Sequence, residues 1–256
     1  MIKIKNLRVW VAKKEILKWI NLNFELWKNY CLLWKNWSWK STLVSFMMWH
    51  PKYNYIDWEI NIIDEKWLKT DLLKLNPEDR SRAWLFLSFQ NIPEIKWIKL
   101  WEYLRIIYNI SKTQNNKNWE KNSFNWLSPF LFERFIKKYL VELNISKSFL
   151  NRELNVWFSW WEKRKIEILQ MKLIWPKYII LDEIDSWLDL DAFKIIAKML
   201  KELSNDTNSL IIITHYFKIL DYINVDKVFV MKDWKINSEW DISFIEKIKE
   251  NGFENL

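Results

Sequence analysis

The chain has 256 residues, with 40 Lys and Arg against 32 Asp and Glu for a formal net charge of +8, hydrophobic residues at 50%, and a single cysteine. One cysteine excludes an intrachain disulfide, no apolar run approaches the ~18 residues of a membrane-spanning helix, and the basic residues are scattered, not gathered into the stripe with interleaved aromatics that marks a nucleic-acid surface. No charged-then-apolar leader opens the sequence, so a reduced, cytoplasmic protein is expected, with no nucleic-acid partner and no direct membrane insertion, and long enough for one or two domains with a full core.

In chain order, residues 2–9 alternate apolar and polar like a half-buried strand, and 16–26 continue the pattern through Ile16, Ile20, Leu22, Phe24 and Leu26. The short apolar run Tyr30 to Leu33 reads as a buried strand, with Cys31 a small hydrophobe inside it. A helix-compatible run follows from Lys40 to Met48, a strand at 58–63, a break at Pro77-Glu78-Asp79-Arg80, and an apolar run from Leu85 to Phe89 ended by Gln90. Helical spacing covers Ile98 to Tyr108 and Phe130 to Leu143, separated by a polar loop from Ser111 to Asn122. A long helix from Glu162 to Leu173 precedes Tyr178-Ile179-Ile180-Leu181, a continuous apolar run of the kind found in parallel strands covered on both faces. A helix over 191–203, a run from Leu210 to Ile213, a short helix near Ile219 and a hairpin at 228–237 complete the pattern. Strands alternating with helices argue an α/β fold with a largely parallel sheet, preceded by an antiparallel β piece.

The composition carries an anomaly. The chain has one glycine, Gly252, and 21 tryptophans, where an average chain of this length carries about 18 glycines. Tryptophan stands where turn chemistry calls for glycine: after Ser159 as Trp160-Trp161, in Asp185-Ser186-Trp187-Leu188-Asp189, and in Lys232-Asp233-Trp234-Lys235, a hairpin turn spelled D-W in place of D-G. The abundance of Lys, Asn and Ile fits an AT-rich genome. These features are read as translation of a gene that uses UGA for glycine with a table that assigns UGA to tryptophan. The reading is weakest at Trp10, Trp101, Trp119 and Trp126.

With glycine at those positions, Trp34-Lys35-Asn36-Trp37-Ser38-Trp39-Lys40-Ser41-Thr42 becomes G-K-N-G-S-G-K-S-T, a complete phosphate-binding loop between a strand and a helix. Such a loop wraps anionic oxygens with successive backbone N–H groups, which requires positive φ and close approach. Glycine allows both, and an indole does not. Tyr178-Ile179-Ile180-Leu181-Asp182-Glu183 is an apolar strand ending in two carboxylates. Taken alone that pair is equally an acidic helix N-cap, but beside a phosphate loop Asp182 can hold Mg²⁺ and Glu183 can deprotonate a water. Ser159 with Glu162 three residues on is a capping box at a helix start. His50 reads as an ordinary surface or core residue.

Phe158-Ser159-Trp160-Trp161-Glu162-Lys163, read as F-S-G-G-E-K, resembles the signature of the ABC-type ATPases. Gln90 resembles that family's Q-loop, Asp185 to Asp189 its D-loop, and Thr214-His215 its switch histidine. The segments Leu154 to Arg164, Glu167 to Met171, Leu181 to Ala192, Thr214-His215-Tyr216 with Ile219 to Tyr222, and Asn76-Pro77-Glu78-Asp79-Arg80 are similar to the SufC-like ATPases of the SUF iron–sulfur assembly system. The resemblance implies an ABC-type P-loop ATPase core at 1–95 and 156–256, including an antiparallel β subdomain, and a helical subdomain at 96–155. It implies ATP and Mg²⁺ as cofactors, with Lys40 on the β- and γ-phosphates, Ser41, Gln90 and Asp182 at the metal, Glu183 as base, Gln90 sensing metal and water, and His215 on the γ-phosphate. Residues 34–42 cradle the phosphates, and Ser159, Trp160, Trp161 and Glu162 cap the nucleotide of a second ATPase in a transient dimer. SufB- and SufD-like scaffold proteins are the implied partners. The alternatives are the ATP-binding subunit of an ABC transporter and, for the literal tryptophan polypeptide, a nucleotide-free interaction module. No aromatic before the loop is evident to stack on adenine.

Overall fold

The computed structural model describes residues 1–11, 13–34, 40–48, 54–55, 59–64, 67–114, 126–184, 190–204, 207–214, 217–232, 235–240 and 245. The chain divides into two compact units, Met1–Gln90 with Lys177–Trp187 and Phe193–Leu256, and Asn91–Pro176 with Leu188–Ala192.

The first unit holds two sheets. In the antiparallel one, β1 (Ile2–Val11) lies between β2 (Lys14–Phe24) and β5 (Glu59–Ile63), with β6 (Lys69–Asp71) outside β5 and β4 (Asn54–Tyr55) also on β1. The period-two pattern explains it: Ile2, Ile4, Leu7 and Val9 of β1 and Leu17, Ile20, Leu22 and Phe24 of β2 are all buried. The register shifts where β1 and β2 carry unequal numbers of residues between paired positions, and left-handed Asn6 and Trp19 sit at those irregularities.

The second sheet has β3 (Tyr30–Trp34), β7 (Leu85–Ser88), β10 (Tyr178–Asp182), β11 (Ser209–Ile213), β12 (Lys227–Lys232) and β13 (Lys235–Trp240) in the order β13-β12-β3-β11-β10-β7. Every pairing is parallel except the β12–β13 hairpin. All five residues of β10 and of β11 are buried, as their continuous apolar runs predict. Asn29 fixes the lower edge: its side-chain Oδ1 accepts the Leu210 N–H at 3.0 Å and its Nδ2 donates to the Asn224 carbonyl at 2.8 Å.

Helix α1 (Lys40–Met47) follows β3, and its Leu43, Val44, Phe46 and Met47 join side chains of both sheets in one core. Phe24, Tyr30 and Phe229 pack as an aromatic cluster there, Tyr30 stacked on Phe229 at 5.9 Å. Each such side chain, fully buried, contributes about 1.5–3 kcal/mol. Cys31 is buried within β3, as expected of a small hydrophobe. Helix α2 (Pro77–Arg82) leads into β7.

The second unit contains α3 (Leu100–Gln114), α4 (Pro129–Glu142) and α5 (Trp160–Ile174), with a small ribbon of β8 (Ile95–Lys99) and β9 (Glu153–Leu154). This unit extends past the 96–155 span expected from sequence, because α5 packs on α3: the Tyr103 hydroxyl donates to Gln170 Oε1 at 3.2 Å. Burial, and then the Glu167 carboxylate, push the Tyr103 hydroxyl above its usual range. Helix α6 (Leu190–Leu203) precedes β11, and the short helix near Ile219 is a 3-10 turn, Phe217–Asp221. Among the described residues no helix is long and apolar enough to cross a membrane.

Candidate active site

The carboxyl ends of the parallel strands come together in register. Ile213 of β11 pairs with Leu32 of β3 on one side and Asp182 of β10 on the other. Trp34 therefore ends β3 at the same edge where Asp182 ends β10, and Lys40, Ser41 and Thr42 open α1 directly after the connecting loop. A strand, a short loop and a helix in this order is the context a phosphate loop requires. Lys35, Asn36, Trp37, Ser38 and Trp39 lie outside the described residues, as do His215 and the stretch Asp185 to Asp189.

Asp182 and Glu183 are buried at this edge, Glu183 with 9% of its surface exposed. Glu183 is held twice: its N–H donates to the Ile213 carbonyl at 2.9 Å, and its Oε2 accepts from Gln90 Nε2 at 2.8 Å. Its backbone is left-handed, φ 51°, a conformation that costs a non-glycine residue about 1–2 kcal/mol and clusters at functional positions. Gln90 reaches it from the end of β7, because Ser88 of β7 pairs with Leu181 of β10.

The donor set is carboxylate and amide oxygen. Among the described residues no group of three or more His, Cys, Asp or Glu side chains is gathered as a metal cage. Carboxylate and amide oxygens are hard donors, the kind that Mg²⁺ takes together with substrate phosphates.

In the second unit, Ser159 caps α5. Its Oγ accepts the Glu162 N–H at 3.3 Å and its own N–H donates to Glu162 Oε2 at 2.7 Å, completing the capping box. Trp160 and Trp161 form the first turn of the helix, Trp160 under the Arg164 guanidinium at 4.2 Å. Arg164 is fully buried and pairs with Glu167 at 2.6 Å. Arg152 was not singled out by the sequence reading, yet it shapes the approach to Ser159. Its guanidinium lies against both the Phe149 and Phe158 rings, which pack edge-on at 4.8 Å, and donates to the carbonyls of Val156 and Trp157, the latter at 2.7 Å. No spacing rule announces such a residue, since its partners are backbone carbonyls.

Comparison with known proteins adds to this geometry. No family model matches the chain. The probable ATP-dependent transporter ycf16 of Antithamnion sp. is 36% identical over 256 residues, covering 100% of this chain and 97% of the relative. The probable ATP-dependent transporter slr0075 of Synechocystis sp. is 35% identical over 256 residues, 100% of this chain and 95% of that protein. The iron-sulfur cluster assembly protein SufC of Plasmodium falciparum is 36% identical over 245 residues, 96% of this chain and 67% of that protein. In structure, the chain is similar to an ATP-binding cassette solved as a dimer in a post-hydrolysis state with ADP and Pi, with a TM-score of 0.72, 18% identity, and coverage of 94% and 99%. It is also similar to the ATP-binding subunit of an ABC transporter, with a TM-score of 0.73, 17% identity, and coverage of 98% and 93%.

Proposed function

This chain belongs to the family of ABC-type ATPases, and from that premise we propose that its ATP hydrolysis drives the building of iron–sulfur clusters on a SufB- and SufD-like scaffold. The observation that carries the reading is the 36% identity, over 96% of the chain, to a protein named for iron–sulfur cluster assembly. The signature segment Leu154 to Arg164 and the stretch Leu181 to Ala192 support it. In this reading Lys40 grips the β- and γ-phosphates within the cradle of residues 34–42. Ser41, Asp182 and Gln90 hold Mg²⁺, which neutralises charge on the phosphates when bound. Glu183 takes the proton of the attacking water, with Gln90 orienting its carboxylate, and His215 contacts the γ-phosphate. Ser159, Trp160, Trp161 and Glu162 close over the nucleotide of a second copy, so the working form is a transient dimer. Co-expression with the scaffold genes of its own genome tests the proposal: a stable complex and scaffold-stimulated ATP hydrolysis are expected. A second reading, the ATP-binding subunit of a transporter, draws support from the names of the ycf16 relatives, and co-purification with a membrane permease would establish it instead.

The same proposal takes tryptophan at many positions as glycine in the native protein. Seven tryptophans, at 19, 27, 67, 84, 97, 157 and 175, have positive φ between 54° and 71°, where a bulky residue is a genuine outlier. Their settings are those of glycine. Trp175 is the left-handed cap of α5, its N–H on the Met171 carbonyl at 2.8 Å, with Pro176 next. Trp67 closes the β5–β6 turn and Trp19 sits at a bulge. Trp67, Trp97 and Trp157 are 81%, 90% and 87% exposed, and among the described residues no tryptophan belongs to the buried core. At about 1–2 kcal/mol per left-handed residue, seven cost as much as a domain's whole net stability, about 5–15 kcal/mol. Mass spectrometry of the native protein tests this: glycine at 37 and 39 is expected, and tryptophan there would overturn it.

A further inference from the structure

Helix α2 has a single buried residue, and it is charged. Arg80 is 2% exposed, while Glu78, Ser81 and Arg82 face outward. The sequence sets the start of α2: Asn76 is its N-cap residue, Pro77 starts it, and Glu78 and Asp79 complement its first turn. The Arg80 guanidinium then spans three carbonyls. Nη1 donates to Phe46 at 2.9 Å and to Met47 at 2.8 Å, and Nε donates to Leu75 at 3.0 Å.

Phe46 and Met47 are the last two residues of α1, whose first turn is Lys40, Ser41 and Thr42. The final carbonyls of a helix lack donors within it. Here the last turn contains no basic residue of its own, and the surrounding Leu43, Val44, Phe46 and Met47 side chains are buried. Arg80 supplies both the donors and the positive charge that the negative end of the helix favours. The planar fork suits this task, because one rigid group addresses two adjacent carbonyls and a third on the other side. Beyond α2 the chain runs into β7 and on to Gln90, which touches Glu183.

We infer that Arg80 is a positioning residue for ATP hydrolysis: it fixes the carboxyl end of the helix whose amino end grips the phosphates, and it ties that helix to the strand that aims Gln90. The inference rests on residues 34–42 being the phosphate cradle. The buried side chains of Leu43, Val44, Phe46 and Met47 keep the body of α1 in the core, so loss of Arg80 leaves the fold standing, while a small shift at the carbonyl end is carried along eight residues to Lys40 and Ser41 and lowers phosphate affinity.

The test uses the full chain with glycine at the positions named above, and its Arg80→Gln and Arg80→Lys variants. Mg-ATP and Mg-tripolyphosphate are titrated calorimetrically, and steady-state rates are measured. For Arg80→Gln, dissociation constants for both ligands and KM are expected to rise about tenfold, with faster amide exchange across residues 40–47. Arg80→Lys, which keeps the charge and part of the bonding, is expected to fall between and serves if the Gln variant does not fold. A purely structural arginine would lower the active fraction, and so the apparent kcat, with KM and both dissociation constants unchanged; that result overturns the inference. A parent that binds neither ligand removes the phosphate-cradle reading, and the role of Arg80 falls with it. A parent that binds, with variants that bind equally well, removes Arg80 alone.

Discussion

Gln90 Nε2 donates to Glu183 Oε2 at 2.8 Å, joining the end of β7 to the residue that follows β10. The bond spans 93 residues of sequence, and parallel pairing of Leu181 with Ser88 brings the two ends together. Glu183 can therefore be poised before any substrate arrives, with its main chain held by Ile213 and its carboxylate by Gln90.

Glu183→Gln, in the chain carrying glycine at the turn positions, should keep Mg-ATP affinity within about threefold and lose hydrolysis by about 10²–10⁴-fold, the usual contribution of a positioned base. Single-turnover rates with equilibrium binding check this. Hydrolysis at the parent rate would remove Glu183 from the role of base.

Gln90→Ala frees the Glu183 carboxylate from its neutral donor. The turnover rate should fall by about tenfold or more, and Mg-ATP affinity should fall less, because the Glu183 carboxylate loses its Gln90 donor while Lys40, Ser41 and Asp182 remain in the proposed phosphate and metal site. The ratio of the two effects is the measurement. An equal loss in both would place Gln90 in binding.

Tryptophan-to-glycine substitutions should sort by backbone conformation. Trp175→Gly and Trp84→Gly, both left-handed, should each stabilise the fold by about 1–2 kcal/mol. Trp101→Gly lies in the first turn of α3, where Trp101 approaches Arg105 at 5.9 Å. It should destabilise by about 0.5–1 kcal/mol, the cost of glycine in a helix. Chemical denaturation of the three single variants reads the signs directly, and a uniform sign across them would break the link between φ and residue identity.

Ser159→Ala removes one half of the capping box. Stability should fall by about 1 kcal/mol. If two copies share each nucleotide, the variant should also lower turnover without weakening the binding of ATP to the monomer. Specific activity measured across a dilution series separates the two effects: the parent should lose activity on dilution, and the variant should start low.

The elements with strong periodicity were legible in the sequence. The alternation from Ile2 to Val9, the buried runs at Tyr178 and Leu210, and the helix over 191–203 all lie where the pattern put them. The helix expected from Glu162 to Leu173 is α5, which runs from Trp160 to Ile174 and stops at left-handed Trp175. The ribbon of β8 and β9 was not legible. All five β8 residues are exposed, so no burial pattern marks the strand, and its register breaks at left-handed Trp97. At the proposed site, Gln90 and Glu183 stood out in the sequence because each follows a short apolar run, and the structure joins the two. The contacts of Arg80 with Phe46 and Met47 were not legible, because they are made to main-chain carbonyls 33 and 34 residues away, and every residue type carries a carbonyl.

The strand that launches the phosphate segment is flanked by β11 and β12, both made only after residue 208. As the chain leaves the ribosome, β3 is finished early and then has no strand to pair with until four-fifths of the protein exists. Its neighbours in time, β1 and β2, belong to the other sheet. The edge proposed to bind nucleotide is thus assembled last, by closure of a very long loop, the slow kind of β-sheet formation. Until then the Tyr30–Leu33 run is an apolar segment without a lattice, open to wrong pairing. A nascent chain stalled before Ser209 should fold its antiparallel sheet and bind no ATP, and release of the last 50 or so residues should bring binding on with the slow rise of that long closure.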